Sequence, residues 1–228
     1  MISVCLAAFN GSRHIAAQMA SILASPRVTE LLVSDDGSTD GTQDVVAALA
    51  DPRVRLIAGP RRGVIANFEH LLGQASGRYV FLADQDDVWL GGKVDAMLRA
   101  LEAADLVVSD CSIVDDDLEV ITRSFFEARG SGPGVLKNLL RNSFLGCCMA
   151  FRREVLEYVL PFPPAVPMHD WWIGLMVNRK GRVRFIDDIL VLYRRHGANA
   201  TYAVVSQAPL LQQLRWRLAM LGALLSRS

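Results

Sequence analysis

Two acidic clusters in this sequence of 228 residues have the residue types and spacing needed to bind a cation. One covers residues 84–87 (Asp-Gln-Asp-Asp), and the other is Asp35-Asp36. Neighbouring carboxylates repel one another, so a cluster of them usually holds a cation or accepts hydrogen bonds. Carboxylate oxygens are preferred ligands of Mg²⁺ and Mn²⁺, which also bind phosphate oxygens. The two clusters therefore predict a site for a divalent cation and a phosphate-bearing ligand.

Each cluster also has a structural interpretation. Asp36-Gly37-Ser38 is a common turn sequence. Asp87 is assigned to the start of the following helix, where an acid interacts favourably with the helix dipole. For Asp84 and Asp86 the functional interpretation is favoured, because a turn does not need three acids directly after a buried strand.

Short apolar segments alternate with segments of helical periodicity through the first half of the chain. Strands are predicted over residues 2–8, 31–33, 54–58, 79–83 and 106–108, and helices over 13–24, 63–75 and 92–103, with one more around 45–49. This alternation predicts an α/β fold in which a mostly parallel sheet is flanked by helices on both faces.

The order of these elements places both acidic clusters at one edge of the predicted sheet. Ligands of open parallel sheets bind beyond the carboxyl ends of the strands. Asp35-Asp36 follows the second strand and Asp84 follows the fourth. Their common edge favours a binding role for Asp35-Asp36 as well.

The second half of the chain is less regular. We expect a turn at 115–117, a loop at 127–134, a strand-like run at 143–151, a helix from 169 to about 179 and a strand over 183–193.

Composition excludes several classes of protein. Lys+Arg and Asp+Glu are both 24, and a zero net charge disfavours a nucleic-acid binder. Hydrophobic residues make up 51% of the chain, so wholesale disorder is excluded. None of the four cysteines forms a Cys-x-x-Cys pair, so a zinc ribbon is not expected. Three features predict a cytoplasmic protein. The thiols lie in apolar runs and are expected to be reduced. The sequence shows no leader-peptide pattern and no apolar stretch of about 18 residues.

Five segments resemble, in order, the signatures of the family 2 glycosyltransferases. They are residues 4–11 (Val-Cys-Leu-Ala-Ala-Phe-Asn-Gly), 34–42 (Ser-Asp-Asp-Gly-Ser-Thr-Asp-Gly-Thr), 81–89 (Phe-Leu-Ala-Asp-Gln-Asp-Asp-Val-Trp), 169–172 (His-Asp-Trp-Trp) and 193–197 (Tyr-Arg-Arg-His-Gly). The resemblance covers about residues 1–200. The third and fifth segments most resemble the bacterial rhamnosyltransferase-like branch.

The resemblance implies a GT-A fold with a smaller antiparallel sheet on the acceptor side. It implies an inverting transfer of a sugar, with rhamnose as one candidate, from a dTDP- or UDP-sugar to a saccharide or lipid-linked acceptor. Such transfer serves the synthesis of polysaccharides such as O-antigen. The implied cofactor is Mg²⁺ or Mn²⁺, which neutralises the leaving diphosphate.

The resemblance also assigns residues to the nucleotide-sugar donor. It implies that Asp36 accepts a hydrogen bond from the base N3–H and that Ala7 and Phe9 line the base pocket. Asp84 is expected near the ribose, and Asn67 in a segment that touches the nucleotide. Ala7 and Phe9 stand where the family often has Thr, Pro or Tyr.

Three further residues are assigned to the metal and to catalysis. Asp86 resembles the metal ligand of the family's Asp-x-Asp motif, and His196 a histidine that meets the metal or the diphosphate. Asp170 stands at the position of the catalytic base, although as an isolated residue it would be read as a helix N-cap. His169 replaces the usual Glu of that motif.

Some neighbouring residues are given structural roles. Trp171 and Trp172 are expected in the core, with at most one ring facing a sugar. Arg194-Arg195 is expected to be a solvated pair, and His14 a helix-surface residue.

The C-terminal segment predicts an amphipathic helix over 206–228, after a glycosyltransferase domain over 1–205. That domain divides into a nucleotide-binding half at about 1–110 and an acceptor half at about 111–205. Leucines at 210, 214, 218, 221 and 225 form one stripe, arginines lie among them, and no acid occurs over 207–228. This helix suits peripheral contact with the inner face of the cell membrane, packing on the domain, or a homodimer.

Three alternatives to sugar transfer make different demands on the sequence. A sugar nucleotidyltransferase would need a glycine-rich loop with a basic residue after the first strand, and residues 7–13 hold too little glycine. A phosphoacceptor receiver domain would carry its acids after the first strand and end near residue 120. A catalytically inactive sugar-nucleotide binder remains open, because only an assay distinguishes it.

Overall fold

The computed structural model describes residues 1–195 and 208–227. Within these residues the chain forms nine strands and nine α-helices. The strands are β1 (Ile2–Ala8), β2 (Glu30–Asp35), β3 (Val54–Ala58), β4 (Tyr79–Asp84), β5 (Val88–Trp89), β6 (Leu106–Val114), β7 (Val120–Thr122), β8 (Met149–Arg152) and β9 (Val183–Arg194). The helices are α1 (Ile15–Leu23), α2 (Thr42–Ala48), α3 (Val64–Gln74), α4 (Lys93–Leu101), α5 (Phe125–Arg129), α6 (Val135–Leu140), α7 (Leu156–Val159), α8 (His169–Lys180) and α9 (Leu210–Ser226).

All nine strands belong to one sheet. Its order is β3-β2-β1-β4-β8-β6-β9-β5, with β7 paired to β6. Strands β1 to β4 pair in parallel, and β6 pairs in parallel with β9, whereas β8, β5 and β7 pair antiparallel to their neighbours. The predicted mostly parallel α/β sheet is confirmed, and its antiparallel part is continuous with the parallel part.

Burial along the central strands explains how the sheet is covered. Every residue of β1 and of β6 is buried. Because successive side chains of a strand point to opposite faces, full burial means that both faces of the sheet are covered. The first nine residues of α8 are buried as well, so α8 is a core helix despite its polar first turn.

Several predicted elements match the structure, and two differ from it. The loop predicted over 127–134 is wrong at its start, because α5 extends to Arg129. The predicted strands over 2–8 and 54–58 have the observed bounds. The strand-like run over 143–151 is wrong in its first part, because residues 146–148 form a 3₁₀ turn before β8 begins at Met149. This turn directs the Gly146 N–H toward the Asp170 carboxylate, a contact between residues 24 positions apart.

The helices are also relevant to the membrane question. Among the described residues, none of the helices combines the length and apolar character required to cross a bilayer.

Two helical glycines provide a test of the core packing. A Cβ on Gly174 in α8 would lie 2.3 Å from the Phe144 ring, whereas a Cβ on Gly73 in α3 would meet no atom within 4 Å. Overpacking should make Gly174→Ala about 1–3 kcal/mol less stable. Gly73→Ala should gain about 0.5–1 kcal/mol, because alanine loses less backbone entropy in a helix. Urea unfolding measures both, and equal stabilities would contradict the packing of α8 on Phe144.

Candidate active site

A cavity of about 690 Å³ lies at the carboxyl ends of β1, β2 and β4, beside the start of α8. It brings together every predicted site residue that the structure describes: Ala7, Phe9, Asp36, Asn67, Asp84, Asp86 and Asp170. The predicted metal ligand His196 lies outside the described residues. Residues separated by up to 163 positions in the sequence therefore meet at one edge of the sheet.

The β2 end of the cavity is fixed by two carboxylates with different partners. Asp36 accepts hydrogen bonds from the backbone N–H groups of Arg61 at 2.6 Å and Gly63 at 2.7 Å. The oxygen that binds Arg61, Oδ1, also accepts a longer bond from the Arg62 N–H at 3.4 Å. Among the described residues, Oδ2 accepts only the Gly63 N–H, so Oδ2 can still accept another donor. Asp35 accepts from Gly37 N–H at 3.0 Å and closes the turn. The pair thus combines the turn and cavity-lining roles that the sequence left as alternatives.

Gln85 joins the ends of β4 and β1. Its side-chain Oε1 accepts from the Phe9 N–H at 2.8 Å, and its Nε2 donates to the Phe9 carbonyl at 3.0 Å. A Cβ on Gly11 would lie 2.2 Å from that Oε1, so glycine at this position makes room for the Gln85 side chain. The Phe9 backbone is therefore held in place while its side chain remains 56% exposed at the cavity.

Asn67 contributes to the cavity wall with its polar groups already in use. Its Nδ2 donates to the Ser34 carbonyl at 2.9 Å, and its Oδ1 accepts from the Ser34 hydroxyl at 2.6 Å. The side chain is buried and ties α3 to β2. Its contacts therefore set the shape of this wall.

Burial and mutual repulsion control the acids after β4. Burial, together with the charges of Asp86 and Asp170, raises the pKa of Asp84 to about 8. Burial likewise raises the pKa of Asp87 well above its usual value, with the charges of Asp86 and Asp84 adding to the effect. The prediction that Asp87 caps the following helix is wrong: it precedes the short strand β5, and α4 begins only at Lys93.

Arg194 holds these acids in position. Its backbone N–H donates to Asp87 Oδ1 at 3.0 Å, and its Nε donates to the Asp86 carbonyl at 2.8 Å. Its Nη1 also donates to the Asp116 carbonyl. Arg194 is only 5% exposed, so the prediction of a solvated Arg194-Arg195 pair is wrong for this residue.

A buried lysine lies behind the acids. The Lys93 Nζ donates to the Cys147 carbonyl at 2.7 Å and lies 4.7 Å from the centre of the Trp89 ring. Burial lowers the pKa of Lys93, while Cys148, Cys147 and Asp87 act in the opposite direction. Lys93 thus offsets part of the negative charge gathered after β4.

Asp170 enters the cavity from the first turn of α8. Its Oδ2 accepts from the Gly146 N–H at 3.0 Å and its Oδ1 from the Trp171 N–H at 2.6 Å. Burial raises the pKa of Asp170 to about 6. The indole N–H groups of Trp171 and Trp172 donate to the Asn138 and Val159 carbonyls, so both rings are part of the core, as predicted.

The donor set fits a hard divalent cation. Asp84, Asp87 and Cys147 offer ligand atoms within 4.8 Å of one another, and the buried Asp87 Oδ2 has no hydrogen-bond partner among the described residues. Burial raises the pKa of the Cys147 thiol, and a protonated thiol is a poor ligand for Mg²⁺ or Mn²⁺. Asp84 and Asp87 are therefore the groups of this cluster that suit these ions, and Asp86, the ligand predicted from the sequence, is not a member of it.

Sequence reasoning missed several residues that build the site. His14 lines the cavity instead of lying only on the helix surface, and Arg13 lies beside it. Gln85, Lys93 and Arg194 act through contacts 76, 54 and 108 positions away. Only Gln85 carried a local signal, as the polar residue inside the acidic segment.

A cavity at the carboxyl edge of a mostly parallel sheet is the place where open α/β proteins bind their ligands, and acids line it here. The profile of the family described as Glycosyl transferase family 2 matches residues 3–160. The chain therefore belongs to glycosyltransferase family 2.

Relatives by sequence include three bacterial proteins. The uncharacterized glycosyltransferase alr2836 of Nostoc sp. is 28% identical over 87% of this chain. The Escherichia coli UDP-Glc:alpha-D-GlcNAc-diphosphoundecaprenol beta-1,3-glucosyltransferase WfgD is 24% identical over 82% of this chain and is covered over 73% of its length. The succinoglycan biosynthesis protein ExoO of Rhizobium meliloti is 35% identical over 67% of this chain. The chain spans 66% of alr2836 and 44% of ExoO.

Solved structures support the GT-A fold. Staphylococcus aureus TarS 1-349 in complex with UDP-GlcNAc aligns with a TM-score of 0.69 at 17% identity, covering 99% of this chain and 69% of TarS 1-349. The Mycobacterium tuberculosis glucosyl-3-phosphoglycerate synthase in complex with Mn²⁺, UDP and phosphoglyceric acid aligns with a TM-score of 0.63 at 23% identity, covering 100% of this chain and 78% of the synthase. The predicted fold class is confirmed.

The buried guanidinium of Arg194 is open to a direct test. Arg194→Met should lower the free energy of unfolding by roughly 2–4 kcal/mol, because the Asp86 and Asp116 carbonyls lose a charged donor. Arg195→Met serves as the matched control and should change it by less than about 0.5 kcal/mol. Guanidinium unfolding monitored by circular dichroism gives both values. Equal losses of unfolding free energy in the two variants would show that Arg194 does not hold the acidic segment 84–87 in place.

Proposed function

We propose that this chain is an inverting, metal-dependent glycosyltransferase that uses a pyrimidine nucleoside-diphosphate sugar in cell-surface polysaccharide synthesis. The observation that carries the proposal is that one cavity joins a carboxylate-rich strand edge to a single buried carboxylate, Asp170, of raised pKa. The first feature suits a diphosphate with its cation, and the second suits a general base. We assign donor binding to residues 1–110 and acceptor binding to 111–205.

In this proposal the nucleotide base lies between β1 and β2. The exposed Phe9 ring, whose backbone is fixed by Gln85, offers an aromatic surface for the base. Asp36 Oδ2, which among the described residues accepts only the Gly63 N–H, accepts the base N3–H, which thymine and uracil both carry. Ala7 leaves space beside the base, Asn67 closes the wall, and Asp84 lies toward the ribose.

Asp86 is proposed as the protein ligand of Mg²⁺ or Mn²⁺, with His196 as a second candidate. A bound divalent cation neutralises the charge that develops on the departing diphosphate. Arg194 keeps Asp86 in place through the Asp86 carbonyl, and Lys93 limits the repulsion behind it.

Asp170 is proposed as the catalytic base. The acceptor hydroxyl oxygen bonds to the sugar C1, its proton passes to the Asp170 carboxylate, and the bond from C1 to the diphosphate oxygen breaks as the nucleoside diphosphate leaves. A single base opposite the leaving group gives inversion at C1. The Gly146 N–H and Trp171 N–H fix the orientation of the carboxylate.

The donor sugar and acceptor are proposed from two sources. The resemblance to the rhamnosyltransferase-like branch points to dTDP-rhamnose. WfgD carries UDP-Glc and a diphosphoundecaprenol-linked sugar in its name, which points to UDP-glucose and a lipid-linked acceptor. Both donors and a GlcNAc-diphosphate lipid belong in the first assays.

Donor binding should depend on a divalent metal. A matching nucleotide sugar with Mn²⁺ at about 100 times Kd should raise Tm by roughly 5 °C or more, and Asp86→Ala should abolish the metal-dependent part. Asp170→Asn should keep the shift and lose at least about 100-fold in transfer rate. Asp44→Asn, an exposed acid on α2, is the control for both measurements.

The outcomes separate the hypotheses. Binding without transfer by the wild type would identify an inactive sugar-nucleotide binder. Transfer by Asp170→Asn at the wild-type rate would remove Asp170 from the mechanism.

The pH dependence of transfer should report Asp170. With its pKa raised to about 6, the carboxyl is protonated below pH 6 and cannot accept a proton. We expect kcat/KM to fall about tenfold per pH unit below pH 6 and to level off above it. A rate that stays constant between pH 5 and pH 7 in the wild type would contradict the base assignment.

We also propose a cytoplasmic location with peripheral membrane contact through α9. Met220, Ala223 and Leu224 are buried against the domain, while Leu210, Leu214, Leu218, Leu221 and Leu225 are 41–82% exposed and form a leucine face. At about 100° per residue, Arg215 and Arg217 flank this face on opposite sides. An exposed apolar face bordered by cations suits an anionic bilayer surface.

Vesicle sedimentation tests the leucine face. Changing Leu214, Leu218 and Leu221 together to Gln should lower binding to phosphatidylglycerol-containing vesicles at least tenfold, because three side chains lose their apolar burial. Changing Val120 and Ile121 to Gln, both exposed in β7, is the control. Unchanged sedimentation would refute the membrane proposal, and loss of a dimer on gel filtration would indicate self-association instead.

A further inference from the structure

His169 is a buried polar residue in the cavity that the proposed mechanism does not use. It is the first residue of α8, is 4% exposed and lines the cavity next to Asp170. Its ring stacks on Phe68, with 3.9 Å between ring centres and 18° between ring planes. Neither Nδ1 nor Nε2 has a hydrogen-bond partner among the residues that the structure describes.

Two unsatisfied nitrogens are unusual for a buried side chain. A buried polar group without a partner loses its bonds to water, so nearly all such groups are paired with protein or ligand. Asp170 does not serve as this partner, because its oxygens face the Gly146 and Trp171 N–H groups. The stacking on Phe68 fixes the ring plane, so the nitrogens cannot turn away to solvent.

The protonation state of His169 limits what it can bind. Burial lowers the pKa of His169 to about 3, so the ring is neutral at pH 7. A neutral imidazole carries one donor N–H and one acceptor nitrogen. A hydroxyl group can either donate or accept, so it can pair with whichever ring nitrogen faces it, whereas an anionic phosphate oxygen can pair only with the N–H.

His169 also lies close to the proposed base. A Cβ placed on Gly146 would be 3.2 Å from His169 Nε2 and 3.7 Å from Asp170 Oδ2. Both atoms therefore lie near one point of the cavity wall, which glycine leaves open. A sugar whose reacting hydroxyl or C1 is beside Asp170 brings its neighbouring hydroxyls within reach of His169.

We infer that His169 is a specificity-determining residue that hydrogen-bonds one hydroxyl of the sugar bound beside Asp170. The inference rests on the proposed glycosyltransferase function. The hydroxyl belongs either to the donor sugar or to the acceptor, and the same chemistry recognises both.

Substitutions and deoxy sugars used together test this inference. His169→Phe keeps the ring stacking and removes both nitrogens, and His169→Gln restores a donor and an acceptor. With UDP-glucose and a GlcNAc-diphosphate lipid, His169→Phe should lower kcat/KM roughly tenfold and His169→Gln less. His70→Phe on the outer part of α3 is the control and should leave kcat/KM unchanged. If dTDP-rhamnose is the donor, its deoxy series replaces that of UDP-glucose.

The deoxy series identifies the hydroxyl. With the wild type, one monodeoxy sugar should show a kcat/KM roughly tenfold lower than the unmodified sugar. With His169→Phe, removing the same hydroxyl should not lower kcat/KM further. A position on UDP-glucose assigns the hydroxyl to the donor, and a position on the GlcNAc-diphosphate lipid assigns it to the acceptor. Calorimetry of donor binding with Mn²⁺ gives a second readout that does not depend on transfer.

The inference and the proposed function fail in different ways. Two outcomes would overturn the inference while transfer continues. In one, each deoxy sugar lowers kcat/KM by the same factor in the wild type and in His169→Phe. In the other, His169→Phe has wild-type kinetics with the unmodified sugars. If His169→Phe does not fold, the same comparison is made with His169→Gln, which should show weakened discrimination at one hydroxyl only. A wild-type protein that binds no nucleotide sugar would overturn the proposed function itself.

Discussion

The repulsion among buried carboxylates at the carboxyl edge of the sheet is the constraint on which the site depends. Asp84, Asp86 and Asp87 follow one strand, and Asp170 approaches from α8. Burial and the charges of Asp86 and Asp170 together raise the pKa of Asp84 to about 8, so negative charge is costly at this edge. The surrounding structure counters this cost by supplying fixed hydrogen-bond donors.

The parallel strands bring these groups together. In the register of the sheet, Ala8 pairs with Asp35 and Ala7 pairs with Asp84, so the ends of β2 and β4 flank the end of β1. Gln85 then ties the β4 end to Phe9, and Arg194 ties the acidic loop to β9. The 3₁₀ turn at Gly146 completes the cavity by orienting Asp170. Membership of glycosyltransferase family 2 is consistent with this arrangement of a strand edge and a helix start.

Local sequence patterns were sufficient for the fold and for most of the site. Short segments rich in apolar residues and bounded by turn residues predicted β1 and β3 with the observed bounds, although β3 contains Arg55. The order of strands predicts Asp36 and Asp84 on one edge of the sheet, and both line the cavity there. The resemblance supplied Asp170, which the structure places in the same cavity.

Other features depended on distant contacts that no local pattern records. Arg194 is followed by another arginine, which is typical of an exposed pair, yet its guanidinium binds carbonyls from two loops. Asp87 precedes a helix in sequence, but the short strand β5 intervenes and buries it. The apolar run over 143–151 favoured a strand. In the structure residues 146–148 form a 3₁₀ turn instead, and the Gly146 N–H donates to the Asp170 carboxylate.

The most direct measurement of the central claim is the position of manganese in crystals soaked with UDP and Mn²⁺, located by anomalous scattering. The account predicts an anomalous peak in contact with the Asp86 carboxylate, inside the cavity at the ends of β1, β2 and β4, with the diphosphate beside it. A peak outside this cavity, or UDP bound in the cavity with Asp86 free of metal, would contradict it.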